Sequence, residues 1–131
     1  MPGNATYFND IRGGTKYKSH KIETLEGIFD SQLEWNRWCW LRKYQDEGII
    51  ENLRRQVKYE LIPAQKINGR VVERAVTYTA DFQYLKDGKL VVEDTKSEPT
   101  RTKDYIIKRK LMLWIHNIKL KEIDKRIVTD L

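Results

Sequence analysis

The chain has 131 residues, 40% hydrophobic and 34% charged, with four Trp among its aromatics, so it holds enough apolar mass for one core and too little length for a second catalytic domain. Lys and Arg outnumber Asp and Glu by 25 to 19, a net charge of +6 with a pI near 9.4, which points to a polyanionic partner. One cysteine, Cys39, excludes an internal disulfide, and neither a zinc-spaced Cys/His set nor an apolar run of about 18 residues occurs, so a cytoplasmic protein without membrane or export signal is expected.

Residues 1–20 are rich in Gly, Asn, Ser and Thr, lack periodicity and carry Arg12, Lys16 and Lys18. They predict a flexible basic arm ahead of a single domain over 21–131, although an idle terminus has the same composition. Residues 21–29 predict one or two short strands broken at Gly27. Ser31 and Glu34 stand at capping-box spacing and Gly48 at the place of a C′ glycine, so 31–48 predicts a helix. Its i, i+4, i+7 line joins Glu34 to Trp38 and Leu41, which turns a carboxylate toward the protein body. The flanking Trp35, Trp38 and Trp40 read as core or interface, and Cys39 as a core thiol.

Alternation of Val57, Tyr59 and Leu61 predicts a strand over 53–62 that ends at Pro63, followed by a loop containing Asn68-Gly69. Two β-rich runs, 71–85 and 89–96, meet at Asp87-Gly88, a strong hairpin signal. A polar loop over 97–104 leads to a helix over 105–116 with Ile107, Leu111 and Trp114 on one side, and the tail around Ile118–Ile123 alternates like a last strand. The element order mixes one sheet with covering helices, an α/β to α+β class. From Lys96 to Arg126 there are ten Lys and Arg against four Asp and Glu, an excess equal to that of the whole chain. The second helix and the loop before it therefore form the basic face, with Arg101, Lys103, Lys108, Arg109 and Lys110 as candidate phosphate contacts, or as an ordinary solvated surface.

The hairpin carries the chemistry. With Asp87 and Gly88 as its two loop residues, Tyr84 pairs with Val91 and Asp81 falls opposite Asp94. Opposed side chains lie ~4.5–5.5 Å apart at Cβ, and like charges there destabilise the sheet. Either the charges are screened on an open face or a divalent cation offsets them, Mg²⁺ or Mn²⁺ being suited to one or two carboxylates plus water and phosphate oxygens. The period of two puts Lys96 on the face of Asp94 and turns Glu93 and Thr95 away. Val76, Tyr78, Ala80, Phe82 and Tyr84 supply the core side. Glu34 itself reads as the acid of the capping box.

The ordered set of a helical Glu34, a strand Ala80-Asp81, the hairpin, Asp94-Thr95-Lys96 and a basic helix resembles the PD-(D/E)XK nuclease superfamily. Residues 27–31, 61–65, 78–82 and 91–94 are similar to a small phage and prophage family of it, described only as a domain of unknown function. Ala80 departs from the motif's Pro. The resemblance implies a restriction-endonuclease-like αβββαβ core with a mixed central sheet flanked by helices. It implies that Asp81, Asp94 and the Thr95 carbonyl ligate Mg²⁺ or Mn²⁺, that Lys96 holds the attacking water or the developing charge, that Glu34 approaches from the first helix as an outer metal ligand or water-orienting group, and that Lys108, Arg109 and Lys110 bind phosphates, with Lys16 and Lys18 of the basic arm as further candidate contacts. The function implied is a metal-dependent endodeoxyribonuclease. A small basic chain of this kind suits branched DNA, in the manner of Holliday-junction resolvases that act as homodimers. A general duplex or flap endonuclease and a non-catalytic DNA-binding protein are the alternatives.

Overall fold

The structure, a computed structural model, describes residues 6–9, 20–96 and 101–131. Strands β1 (Thr6–Asn9), β2 (His20–Thr24) and β3 (Gly27–Phe29) form an antiparallel sheet in that order. Thus part of the segment expected as an arm pairs as a strand, while Lys16 and Lys18 lie outside the described residues. The break between β2 and β3 is the turn at Leu25 and Glu26, and Gly27 opens the next strand. Its φ of +119° suits glycine, and a Cβ there would come within 2.9 Å of the Arg55 guanidinium.

Helix α1 (Gln32–Asp46) starts where Ser31 Oγ accepts the Glu34 N–H at 3.1 Å and ends against Gly48, whose φ is +76°. Strand β4 (Glu51–Ile62) follows with the expected alternation. Asn68-Gly69 does more than make a loop. Both residues have positive φ and turn a small hairpin of β5 (Gln65–Ile67) and β6 (Arg70–Glu73), so the run expected to be continuous over 71–85 is interrupted at Arg74-Ala75. Strands β7 (Val76–Lys86) and β8 (Lys89–Thr95) close on Asp87-Gly88 in the expected register, from Lys86 opposite Lys89 to Phe82 opposite Glu93.

Helix α2 (Lys103–His116), capped by Thr102, then carries the chain to β9 (Lys121–Ile123), which lies parallel to β8 as a crossover connection permits. The main sheet has the order β4-β7-β8-β9, so the body is α+β, with the succession α1, β4, β7, β8, α2, β9 and the small hairpin inserted after β4. Neighbouring residues of β8 show that the helices cover opposite faces, because Glu93 meets Arg37 of α1 and Val92 packs with Met112 of α2. The two cores are built accordingly. Phe29, Trp35, Trp38 and Phe82 stack beneath α1, Trp38 and Phe82 with centroids 5.9 Å apart, and Leu61, Ala80, Tyr105 and Met112 gather beneath α2.

Two expectations fail on packing grounds. The buried face of α2 runs through Tyr105 and Met112, which leaves Ile107 and Trp114 outside, the latter 82% exposed. Around Lys108, Arg109 and Lys110 the apolar residues of the run Ile106 to Ile115 fall on several sides of the helix, so periodicity alone did not single out the face that meets the sheet. The core side of β7 is also divided. Tyr78 and Ala80 pack around α2, but Phe82 and Tyr84 pack around α1. Strict alternation would put all four on one face. The change occurs at the level of Gln56, whose φ of +54° departs from strand geometry between the pairs Arg55–Phe82 and Val57–Ala80. Asp81 is the β7 residue at that level.

Candidate active site around Asp81 and Asp94

Because the strands switch faces beside it, Asp81 serves neither core and sits where β7 and β8 part beyond the Phe82–Glu93 pair. Its Oδ2 accepts the N–H and the hydroxyl of Thr95, both at 2.8 Å, in place of a ladder bond to β7 backbone. Thr95, expected to offer its carbonyl, therefore touches Asp81 through two donors. Asp94 is 5% exposed and lies on the α2 side. Its Oδ2 accepts the Tyr78 hydroxyl at 2.6 Å and stands 3.3 Å from Lys96 Nζ, and its carboxyl group meets that of Asp81. The alternative of charges screened on an open face does not describe Asp94, which is buried, while Asp81 and Lys96 are half-buried. Lys96 is pinned over the Tyr105 ring, 4.1 Å from its centroid.

Glu34 closes the start of the helix, as the capping-box reading expects, and forms no three-carboxylate group with Asp81 and Asp94 among the described residues. Its Oε2 accepts the N–H of Asp30 at 2.9 Å, closing the helix start one residue before Ser31, and its Oε1 accepts Gln56 Nε2 at 3.1 Å with Arg55 at 3.8 Å. The same carboxyl group feels the charge of Asp81. Gln56, in its unusual conformation, is what links α1 to this level of the sheet. Glu93, the neighbour of Asp94, points the other way and is fully buried in a two-pronged pair with Arg37, Nε–Oε1 2.8 Å and NH2–Oε2 2.5 Å, with the Tyr84 hydroxyl as a further donor. That pairing leaves Asp94 as the β8 carboxylate at the site.

Burial first, and the Asp81 carboxyl second, push Asp94 up to about 8 and Glu34 up to about 7. Lys96 pulls Asp94 the other way without cancelling this. A carboxylic acid with a raised pKa binds its proton more tightly when folded, so the stability it contributes is complete below the unfolded pKa of ~4 and is lost as pH climbs toward 7–8. The protein in EDTA is therefore expected to melt at a lower temperature at pH 8 than at pH 5.5, with each of the two groups contributing at most about 1.4 kcal/mol per pH unit. Melting curves across that range test it; a rising stability would contradict the assignment. Glu122, held down by hydrogen bonds from Tyr105, Arg109 and Arg101 against the opposing effect of burial, acts only in more acid solution.

Two carboxylates pressed together fit a divalent cation. Among the described residues no three His, Cys, Asp or Glu side chains form a metal-holding group. Of the residues expected as ligands, the structure brings Asp81 and Asp94 together, a donor pair that would suit Mg²⁺ with water and phosphate completing its shell.

The basic helix is more neutralised than its composition suggests. Glu122, beside Asp94 in the β8–β9 ladder, binds Arg101 at 3.1 Å, Arg109 at 3.0 Å and the Tyr105 hydroxyl at 2.7 Å. Lys108 lies 3.5 Å from Asp104. Lys103 and Lys110 are exposed and have no acidic partner among the described residues. Of the residues around the cluster, Gln56 and Glu122 carried no signal in the sequence beyond an alternating pattern, and Tyr78 and Tyr105 read only as part of a strand and a helix.

The profile of a family described as Protein of unknown function (DUF1064) matches residues 14–128. Neither a curated protein nor a solved structure matches the chain. No helix among the described residues is long and apolar enough to cross a membrane.

Proposed function

This chain is a member of that family, and we propose that it is a metal-dependent endodeoxyribonuclease of the PD-(D/E)XK type. The observation that supports the reading is the juxtaposition of Asp81 and Asp94 where two strands part, with Lys96 Nζ 3.3 Å from Asp94. Asp81 and Asp94 hold Mg²⁺ or Mn²⁺, and the ion supplies an activated water and charge neutralisation at the phosphodiester. Lys96, fixed by the Tyr105 ring, directs its ammonium at the attacking water or the phosphate oxygens. Glu34 orients water from the α1 side, and Thr95 keeps Asp81 aimed. Tyr78 donates to Asp94 and is held protonated by burial and by that carboxylate.

The net charge of +6 supports a nucleic acid as substrate, and branched DNA such as a Holliday junction is the substrate class proposed. A homodimer suits two cuts on two strands. The β5–β6 hairpin supports it, since Ile67, Val71 and Val72 are more than half exposed on a two-stranded unit that is marginal alone. The place of action is the cytoplasm, that of the bacterial host for a phage-borne copy.

A four-way junction, a flap and a linear duplex, each incubated with Mg²⁺ and with EDTA, test the reading. Cleavage of the junction in Mg²⁺ alone is expected. Equal cleavage of all three would make it a general endonuclease, and retention without cleavage a DNA-binding protein.

A further inference from the structure

Residues Lys103, Ile107, Lys110 and Trp114 follow one another at spacings of four, three and four, so they form one stripe along α2, on the side turned from the sheet. Trp114 is 82% exposed, whereas Trp35 and Trp38 are buried, and nothing in the hydrophobic clusters accounts for so large an aromatic in water. Beside the stripe an open cavity of about 430 Å³ runs between α2 and the segment before β9, with Leu113 and Leu120 as its floor and Arg109, Lys110 and Lys119 on its walls. Glu122, the residue paired with Asp94 in the ladder, also lines it, so the cavity lies one strand away from Asp94.

From this arrangement we infer that the outer face of α2 holds an unpaired DNA strand, with bases stacked on Trp114 and phosphates on Lys110 and Lys119. An aromatic plane flanked by cations is what single-stranded DNA takes, since every base has a face to stack and every nucleotide a charge to neutralise. Charge decides against a second copy as occupant. A two-fold contact sets a patch against itself, and here Lys103, Lys110 and Lys119 would meet their own like charges. Arg109 is tied to Glu122 at 3.0 Å, a carboxylate it shares with Arg101. The inference rests on DNA being the substrate, and it names which part of a branched substrate the helix takes: the unpaired strand at the branch.

The test needs no cleavage, so its failure is separate from that of the nuclease reading. A fluorescent dT oligomer and a duplex of equal length are titrated in EDTA with the full chain and with Trp114→Ala, Trp114→Phe and the pair Lys110→Ala, Lys119→Ala. Trp114→Ala is expected to weaken dT binding roughly tenfold, by the loss of one stacked base, with little change on duplex and none in the salt slope. Trp114→Phe should restore most of it. The lysine pair should flatten the log–log salt dependence on dT by about 0.7 for each lost contact. Unchanged dT affinity in Trp114→Ala overturns the inference. So does sedimentation showing a dimer that Trp114→Ala splits, which would make the face a self-association surface.

Discussion

Replacing Asp94 by asparagine is expected to lower DNA cleavage by roughly 10²–10³-fold or more, the loss that follows removal of one group stabilising charge in a transition state. Binding of DNA in EDTA should change little, because phosphate contacts elsewhere carry the affinity. The same variant should melt higher than wild type at pH 8 without metal. Asparagine keeps an acceptor for the Tyr78 hydroxyl, 2.6 Å from the carboxylate it replaces, and removes a buried charge that Asp81 opposes. A gain of ~1 kcal/mol corresponds to a few degrees in a domain of this size. Lys96→Ala should match Asp94→Asn in activity and move the other way in stability, since it strips Asp94 of its cation. Millimolar Mg²⁺ should raise the wild-type melting temperature and leave Asp94→Asn nearly unmoved. Cleavage at the wild-type rate by either variant would remove the site from consideration.

The second large effect is on stability alone. Arg37→Met leaves Glu93 charged and without its partner in a place fully closed to water, at a cost of about 3–5 kcal/mol against a total stability of roughly 5–15 kcal/mol. The loss reaches further than the pair. Arg37 NH1 also donates to the backbone carbonyls of Val128 and Asp130, so the last residues of the chain are fastened to α1 by the same guanidinium. Urea unfolding should show the drop, and limited proteolysis an early cut after Ile123. Combining Arg37→Met with Glu93→Leu should recover most of the loss, because two apolar groups replace two charges and neither is left alone. A single-variant loss below ~1 kcal/mol would mean that Glu93 finds another partner.

Local chemistry in the sequence was enough for the boundaries that caps and turns control. Ser31, Glu34 and Gly48 bracket α1 because a hydroxyl and a glycine satisfy helix ends wherever the helix lies, and Asp87-Gly88 set the register of β7 and β8 because a two-residue turn leaves only one. From that register the meeting of Asp81 with Asp94, and of Asp94 with Lys96, was already legible. What the pattern of single strands could not contain is the level at which two neighbouring strands change faces. Gln56 and Asp81 stand at that level, and only the paired sheet shows that Tyr78 belongs with α2, Phe82 with α1, and Asp81 between them within the field of Glu34. The outward turn of Trp114 and the pairing of Arg101 and Arg109 with Glu122 were likewise decided by tertiary packing. A helix with apolar residues on several sides offers several faces to a sheet, and a cation in sequence does not announce its acid. Both are settled when β9 joins the sheet beside β8, parallel to it, and brings Glu122 next to Asp94.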